Sequence, residues 1–385
     1  MRRIKATWIW STAVVAGTVA LVGGAFGAIA LGFARAVVVP PRKKENDIRI
    51  VASDLLAETV TLSVTADSVL PGQYTLVSGK GGVDISRVGK VLHTDGHTVT
   101  RHLLTVDRGS PRPGTHARIS GWYYLTPAEL GYEVREVQIN TEVGDAPAWW
   151  VPHAKDRGRW AIHVHGRGVQ RGETIRGVPP FYESGYSNLL ISYRNDGEAP
   201  PSGDGHSSLG QTEWRDVESA IDFAVKNGAK GIVLFGWSMG GAVVLQTLLR
   251  AKNRHLIRGV VLDSPVVDWS ETLRSLGREL HLPRPIQNWV LGLLRTGWYR
   301  LKHRAPIDLD SLNLVRRADL LTVPILLLHS DDDGYVVSGP SRQLAEARPD
   351  LVTFVPFVVA RHAKLWNYDR ALWTQTIREW LTALK

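Results

Sequence analysis

The chain has 385 residues, of which 44% are hydrophobic and 22% charged, a composition typical of a globular protein with one large domain and a smaller one. It has no cysteine, which excludes disulfide bonds, a thiolate nucleophile and a cysteine-ligated zinc site. The formal net charge is +9, but no long basic run with interleaved aromatic residues accompanies it. We therefore expect no nucleic-acid partner and favour anionic lipid head groups.

The amino terminus carries a long apolar segment. Residues 6–34 contain no charged side chain, and this stretch is longer than the roughly 20 residues that a helix needs to cross a bilayer. We predict a single-pass membrane anchor over residues 1–36 and a linker over residues 37–47. A cleaved signal peptide is the alternative, although its apolar core is usually only about 7–15 residues long. The short basic amino terminus predicts an extracytoplasmic catalytic domain.

Residues 48–131 show the hydrophobic alternation of β-strands. Val60, Leu62 and Val64 alternate with threonine and serine, and Asp95-Gly96 predicts a tight turn between two strands. We predict a small β-rich segment with no chemistry of its own. The glycine-rich stretch 78–82 lacks the spacing and the strand-to-helix context of a phosphate-binding loop, so we interpret it as a turn.

Strand-like and helix-like segments alternate from residue 132 to residue 385. This pattern predicts an α/β domain whose mostly parallel sheet is covered by helices on both faces. Chemistry in such sheets gathers at the carboxyl ends of the strands. The apolar runs that predict these strands lie at 160–165, 187–193, 231–236, 259–263, 324–329 and 352–358.

Residues 236–241, Gly-Trp-Ser-Met-Gly-Gly, lie between a strand-like run and a helix-like run. Strand, Gly-x-Ser-x-Gly and helix in succession are typical of a nucleophile elbow. Gly236 and Gly240 have no Cβ atoms to collide within so sharp a turn. We therefore predict that Ser238 is a nucleophile, at the amino end of a helix whose dipole favours a reacting oxyanion.

Two further side chains complete a candidate triad. Serine is a weak nucleophile unless a base removes its proton, and His362 follows the predicted strand 352–358. An acid must hold the imidazole in the right tautomer, and Asp333 follows the predicted strand 324–329. The order serine, aspartate, histidine is the one expected of this architecture.

These motifs resemble the α/β-hydrolase family, in its branch of esterases and peptidases related to prolyl-oligopeptidase and dienelactone-hydrolase-like enzymes. The resemblance covers roughly residues 132–385. Residues 329–336, His-Ser-Asp-Asp-Asp-Gly-Tyr-Val, are similar to the family's acid motif, with serine in place of a glycine. The resemblance implies that Asp333 is the acid. Asp332 is the near alternative if the loop shifts by one residue, and Asp263 is a more distant one.

The oxyanion of an acyl-transfer intermediate needs backbone N–H groups that already point at it. We expect one from Met239, directly after the nucleophile. The resemblance of His165-Gly166 to the family's His-Gly motif implies that the other is the N–H of Arg167, with His165 orienting this loop. Two roles stay open for the Arg167 side chain, which are contact with an anionic substrate group and simple solvation.

His163 and His165 have a spacing that two metal ligands on one face of a strand can share. No acidic cluster accompanies them, so we expect no metal site and no cofactor.

Residues 267–319 interrupt the sheet pattern, and the resemblance implies a helical cap there. Trp269, Trp289 and Trp298 can line an apolar acyl pocket beneath such a cap. Ordinary packing of an amphipathic helix explains the same pattern. A basic and aromatic helix lying on a bilayer is a third interpretation.

Together these features predict a membrane-anchored serine hydrolase that cleaves an ester, thioester or amide through an acyl-enzyme. The expected substrate is a small-molecule or lipid-like acyl compound. One alternative is a serine peptidase of the prolyl-oligopeptidase-like branch, but the chain has no room for the β-propeller of many such relatives. The other is a non-catalytic binding protein with the same fold.

Overall fold

The computed structural model describes residues 24, 26–40, 45–155, 157–300 and 304–384. Most of the predicted membrane anchor, residues 1–36, therefore lies outside the described residues, as do residues 41–44 of the predicted linker. Among the helices of the described ranges, none combines the length and the apolar composition that crossing a bilayer requires.

The β-rich segment forms a closed six-stranded barrel, which we call the barrel domain. Its strands along the chain are β1 (Ile48–Asp54), β2 (Thr59–Ser63), β3 (Tyr74–Ser78), β4 (Asp84–Thr94), β5 (Thr98–Arg108) and β6 (His116–Ser120). They are ordered β1-β2-β5-β4-β3-β6, and antiparallel pairing of β1 with β6 closes the barrel. Successive residues of a strand face opposite sides. Alternate side chains such as Ile48, Ile50, Val60 and Leu62 therefore fill a separate apolar core.

The rest of the chain is built on an eight-stranded sheet. Its strands are β7 (Arg135–Thr141), β8 (Gly144–Val151), β9 (Arg159–Val164), β10 (Ser187–Ile191), β11 (Gly231–Trp237), β12 (Ile257–Asp263), β13 (Ile325–Ser330) and β14 (Val352–Phe357). Their order is β14-β13-β12-β11-β9-β10-β8-β7. The first six strands of this order run parallel, and β8 and β7 are antiparallel to their neighbours.

Helices cover both faces of this sheet, as the alternating pattern predicts. They are α2 (Val178–Glu183), α3 (Trp214–Lys226), α4 (Met239–Arg250), α5 (Trp269–Glu279), α6 (Arg284–Thr296), α7 (Gly339–Ala347), α8 (Leu365–Tyr368) and α9 (Arg370–Ala383). Alternate residues of β11 belong to two separate apolar clusters. Leu234 packs in the cluster that contains Val217 of α3, and Phe235 packs in the cluster that contains Trp373 of α9.

Helices α5 and α6 fill the interval between β12 and β13, where the cap is expected. The Asp268 side chain accepts hydrogen bonds from the first turn of α5, and Gly297 ends α6 with a φ of 73° that favours glycine. Trp269 is buried in the large apolar cluster, whereas Trp289 and Trp298 are about half exposed.

Residues 26–38 form a helix, α1, that packs on the domain built on the eight-stranded sheet. Ala30, Ala34, Val37 and Val38 recur at helical spacing and are buried in the same apolar cluster as α3 and α4. The Ser207 N–H donates to the Val38 carbonyl oxygen at 2.8 Å. The last part of the predicted anchor is therefore docked on the large domain.

The barrel domain rests on the segment that follows β14. Asn367 exchanges two hydrogen bonds with the Gln73 backbone, at 3.0 Å and 2.8 Å. Gly72 has a φ of +108°, and a Cβ atom there would lie 2.0 Å from the Asn367 carbonyl oxygen. Only glycine allows so close an approach. These contacts fix the barrel beside the loop that carries His362.

Candidate active site

Ser238 occupies a sharp turn between β11 and α4. Its φ and ψ of 52° and −119° are strained for a residue with a side chain. A Cβ atom on Gly236 would lie 2.5 Å from the Gly240 carbonyl oxygen, and one on Gly240 would lie 2.2 Å from that of Val164. The two glycines therefore allow the elbow to pack closely against β9. Ser238 itself is 6% exposed.

The structure brings Ser238, His362 and Asp333 together, although they belong to three different loops. The His362 Nε2 atom lies 2.8 Å from Ser238 Oγ. On the other side of the ring, Nδ1 lies 2.9 Å from each carboxylate oxygen of Asp333. Assigning the ring proton to Nδ1 lets it donate to Asp333, so that Nε2 accepts from the serine hydroxyl.

The loop after β13 holds Asp333 in place. Its Oδ1 atom accepts hydrogen bonds from the backbone N–H groups of Tyr335 and Val336, at 3.0 Å and 2.6 Å. Burial raises the pKa of the Asp333 carboxyl, but the charge of His362 and hydrogen bonds from His329 and His362 outweigh it. The pKa therefore lies well below its usual value, and Asp333 is ionised.

The pKa of His362 responds in the opposite direction. Burial lowers the pKa of the imidazole, but the facing carboxylate of Asp333 outweighs this effect and raises the pKa above its ordinary value. The ring is therefore a stronger base than an exposed histidine. An imidazolium formed by taking the serine proton would be stabilised where it stands.

The other candidate acids have different partners. The Asp332 carboxylate accepts from Arg361 at 3.3 Å, on the exposed side of the loop. Asp263 is fully buried and accepts from Trp373 Nε1 at 2.8 Å and from Ser264 Oγ at 3.0 Å. Burial raises the pKa of Asp263. Of the three, the structure places Asp333 against the His362 ring.

The loop after β9 passes close to the serine. A Cβ atom on Gly166 would lie 3.1 Å from the Ser238 Cβ. His165 contacts the Gly166 carbonyl oxygen through Nδ1 at 2.8 Å and Asp196 through Nε2 at 3.1 Å. The Tyr193 hydroxyl donates to the same carbonyl oxygen at 3.0 Å. His165 and Tyr193 therefore fix this loop, in which Arg167 follows Gly166.

The Arg167 side chain contacts the amino-terminal helix α1. Its guanidinium donates to the carbonyl oxygens of Ala36 and Val39, the latter at 2.8 Å. These carbonyls belong to the carboxyl end of α1, where helices leave such groups without partners. The side chain therefore caps α1, a role that the sequence did not indicate, and its contact with an anionic substrate group stays a prediction.

His163 is buried in the interior of the sheet. Its Nε2 atom lies 2.8 Å from the Asn188 side-chain oxygen, and burial lowers its pKa to about 4. No group of three or more acidic or histidine side chains suited to a metal occurs among the residues that the structure describes.

Two cavities adjoin this site. The smaller, of about 180 Å³, is lined by Ser238 and His362 together with barrel residues that include Arg118 and Gly121. The larger, of about 1180 Å³, shares Arg118, Ser120 and Val169 with it. The barrel therefore supplies part of the wall of the site, which the sequence interpretation of this segment missed. No motif marks Arg118 in the sequence, since it lies in an ordinary strand.

The three cap tryptophans lie away from the two cavities at the site, and the acyl-pocket interpretation stays a prediction. None of the three lines either cavity described above. Trp269 is buried and donates its indole N–H to the Leu209 carbonyl oxygen at 2.8 Å. Trp289 lies instead beside α1, where a Cβ atom on Gly27 would contact its ring at 3.8 Å.

Comparison with known proteins assigns the two parts of the chain separately. A model described as a domain of unknown function (DUF8805) matches residues 48–120, the six strands of the barrel. A model described as the alpha/beta hydrolase family matches residues 161–374, more than half of the chain. The chain therefore belongs to the α/β-hydrolase family, and the predicted α/β-hydrolase fold is confirmed.

Individual relatives are distant. The uncharacterized protein YqkD of Bacillus subtilis (strain 168) is 23% identical over 268 residues, which are 67% of this chain and 78% of that protein. The esterase Pf2001 of Pyrococcus furiosus has a TM-score of 0.52 at 20% identity, over 68% of this chain and 95% of its own. A second crystal form gives 0.52 and 20% over 68% and 96%. These likenesses show the shared fold.

Proposed function

We propose that the protein is a serine hydrolase that cleaves an ester bond through an acyl-enzyme. The observation that carries this proposal is the contact of 2.8 Å between Ser238 Oγ and His362 Nε2, with Asp333 on the other side of the same ring. A solved structure with the same fold belongs to an esterase, which supports an ester rather than another acyl substrate.

The reaction follows from the order of these contacts. Ser238 Oγ attacks the carbonyl carbon while its proton passes to His362 Nε2, and the carbonyl oxygen becomes an oxyanion. The backbone N–H groups of Met239 and Arg167 are the proposed donors to that oxyanion. When the bond to the leaving alcohol breaks, the alcohol takes the proton from His362. Water then attacks the acyl-enzyme in the same way, which releases the acid and restores Ser238.

A fluorophosphonate probe tests the nucleophile, because it reacts with an activated serine. We expect the wild-type protein and the control Ser110→Ala to be labelled and Ser238→Ala to be unlabelled. Ser110 lies in the loop after β5, outside both cavities. Labelling of folded Ser238→Ala at the wild-type rate would refute the assignment.

Matched substrates test the bond that is cleaved. The rates on a p-nitrophenyl ester and on the p-nitroanilide of the same acid are compared for the wild-type protein. Hydrolysis of the ester alone supports an esterase, and efficient hydrolysis of the anilide supports the peptidase alternative. Absence of both reactions in a protein that the probe labels supports the binding-protein alternative.

We also propose that the amino-terminal segment anchors the chain in a membrane. The uncharged stretch of residues 6–34 supports this proposal, since its residues 6–25 precede the docked helix α1 and are about as many as a span requires, and the basic segment before it supports it too. Carbonate extraction of membranes from cells that express the full chain tests the anchor, and release of the protein would contradict it. Protease accessibility of the catalytic domain in sealed vesicles tests the proposed extracytoplasmic orientation.

A further inference from the structure

The smaller cavity, at Ser238, and the larger one share Arg118, Ser120 and Val169, so that together they make one cleft between the barrel domain and the domain built on the eight-stranded sheet. The larger cavity, of about 1180 Å³, exceeds what a short acyl chain fills, because pockets of roughly 300–1,000 Å³ hold drug-sized ligands. A substrate that extends from Ser238 into this cavity passes Arg118 on the way.

Arg118 is a half-buried cation on β6 that lacks a carboxylate partner among the described residues. Its Nη1 atom donates to the neutral Asn46 side chain at 2.9 Å. Its Nε atom is buried and has no hydrogen-bond partner in the same part of the chain. Burial lowers the pKa of this guanidinium, so its charge is destabilised where it stands. An anion in the cleft would relieve that cost.

The other charged side chains that line the cleft already have partners. Lys364 pairs with Asp67, His362 contacts Asp333, Asp196 contacts His165, Asp204 pairs with His206 and Arg300, and Glu173 accepts from the Gly166 N–H. Arg167 also lacks a carboxylate partner and a partner for its Nε atom among the described residues, but its Nη2 atom donates to two carbonyl oxygens of α1. Glu173 is the one carboxylate in the smaller cavity, and it lies on the side of the Gly166 loop. Arg118 stands on the opposite, barrel side of the cleft.

The glycine-rich stretch 78–82 lies beside Arg118. Gly81 and Gly82 line the larger cavity and have φ values of +79° and +72°. A Cβ atom on Gly82 would lie 3.1 Å from Val77 and 3.5 Å from Arg118 Nη2. The absence of side chains at these positions leaves space next to the guanidinium.

We infer that the cleft binds an ester that carries an anionic group, a carboxylate or a phosphate, and that Arg118 holds this group while the ester carbonyl lies at Ser238. A guanidinium is suited to this task because its parallel N–H groups match the two oxygens of a carboxylate or phosphate. The inference rests on the proposed esterase activity, and it adds the class of substrate.

Pairs of p-nitrophenyl esters that differ in one charge test the inference. The half-esters of dicarboxylic acids from succinic to suberic acid are compared with the same esters methylated on the free acid. A third series carries a phosphonate in place of the carboxylate. In the wild-type protein we expect kcat/KM to be about tenfold or more higher for a charged ester than for its neutral partner, given the usual strength of hydrogen bonds to charged groups.

The series that shows this preference identifies the anion. A preference for the carboxylate, for the phosphonate or for both supports the inference. Equal or faster hydrolysis of the neutral partners at every chain length overturns it, without any variant being needed. The preference is also expected to weaken as salt is added, because salt screens charge interactions in an open cleft.

Substitutions locate the preference. Arg118→Gln is expected to bring the ratio of charged to neutral kcat/KM close to one, and Arg118→Lys to keep much of it. Arg112→Gln removes the same charge from an exposed barrel position that lines neither cavity, so it should keep the wild-type ratio. A wild-type ratio in folded Arg118→Gln overturns the role of this residue.

Failure of this inference is distinguishable from failure of the proposed function. If the wild-type protein hydrolyses no ester and resists the fluorophosphonate probe, the serine hydrolase proposal fails. If it hydrolyses neutral esters through Ser238 and shows no charge preference, only the inference about Arg118 fails.

Discussion

Lys364 of the hydrolase domain and Asp67 of the barrel domain form an ion pair, with 2.5 Å between Nζ and Oδ2. Lys364 stands two residues after His362, so this ion pair lies in the loop that carries the proposed general base. Burial lowers the pKa of the Lys364 amine, and the charge of Asp67 opposes that shift. The barrel therefore helps to fix the loop that carries the imidazole.

We expect Asp67→Asn to lower both stability and activity. The substitution leaves Lys364 without a charged partner, which should reduce the free energy of unfolding by about 1–3 kcal/mol. A looser loop should also lower kcat on a p-nitrophenyl ester. Denaturant unfolding and steady-state kinetics check the two effects.

Glu58→Gln is the control for Asp67→Asn. Glu58 makes an exposed contact with His102 elsewhere on the barrel, and such pairs contribute about 0–1 kcal/mol. Its loss should leave kcat unchanged. If Asp67→Asn behaves like this control, the barrel does not support the loop.

The dependence of the reaction on pH follows from the pair of His362 and Asp333. The imidazole accepts the serine proton only in its neutral form, so kcat/KM rises with pH through the pKa of His362. Asp333 raises that pKa, which places the midpoint above the ordinary histidine value of about 6.5. Asp333→Asn should move the midpoint to lower pH and reduce kcat by about 10⁴.

Asp332→Asn provides a matched control one residue away. Its carboxylate contacts Arg361 rather than the imidazole, so the pH midpoint should stay in place. The pH midpoints are compared in profiles of kcat/KM against pH for the wild-type protein, Asp333→Asn and Asp332→Asn. A shift in Asp332→Asn without one in Asp333→Asn would assign the acid to the neighbouring residue.

Stability in acid should depend on Asp333. Its pKa is lowered in the folded state, so its contribution to the free energy of unfolding is present above the unfolded value of about 3.9. That contribution is lost as the pH falls toward the folded pKa. We expect Asp333→Asn to lose less stability than the wild-type protein below about pH 4, as measured by denaturant unfolding at several pH values.

His362 also adds to stability, but its contribution depends on pH in the opposite direction. Its pKa is raised on folding, so the protonated ring stabilises the protein below about pH 6.5. This contribution is lost as the pH rises through the folded pKa. His362→Gln should remove it, which unfolding curves on the two sides of neutrality would detect.

Gly240→Ala is expected to disrupt the elbow. The new Cβ atom would lie 2.2 Å from the Val164 carbonyl oxygen, and backbone atoms of β9 cannot move aside easily. We expect a loss of about 1–3 kcal/mol of stability, the usual cost of overpacking, together with loss of fluorophosphonate labelling. Gly339→Ala adds the same methyl group at the start of α7, where nothing lies within 4 Å, and should retain both properties.

Arg167→Met is expected to loosen α1. The substitution removes the hydrogen bonds to Ala36 and Val39 and keeps the backbone N–H of residue 167. Proteolysis within residues 26–38 should become faster in this variant. Arg316→Met, at an arginine side chain that is 72% exposed, should leave the rate unchanged. Equal rates in the two variants would show that the cap contributes nothing to docking.

Ser238, Asp333 and His362 can be singled out from the sequence because their neighbours in the chain define them. Ser238 is set by the strand and helix on either side of it, and its glycine neighbours identify the turn. Asp333 and His362 follow apolar runs, and parallel strands bring their carboxyl ends to one edge. The shared fold then places them within hydrogen-bonding reach.

Arg118 illustrates what the sequence leaves open. Its importance comes from the packing of one domain on another, between segments more than a hundred residues apart in the chain. The periodicity of β6 predicts a strand but carries no information about which loop that strand will face. The Arg167 side chain has the same difficulty, because its partners are carbonyl groups that any sequence supplies.

The docking of α1 bears on how the protein would sit at a bilayer. The thirteen residues of α1 span about 20 Å, and one side of this helix packs on the large domain. The segment is therefore not a flexible tether. If the preceding residues are embedded in lipid, the enzyme has little freedom to tumble. The opening of the cleft at Ser238 would then keep a nearly constant orientation and distance relative to the bilayer. Substrates that approach from the side it faces would be favoured over those elsewhere in solution.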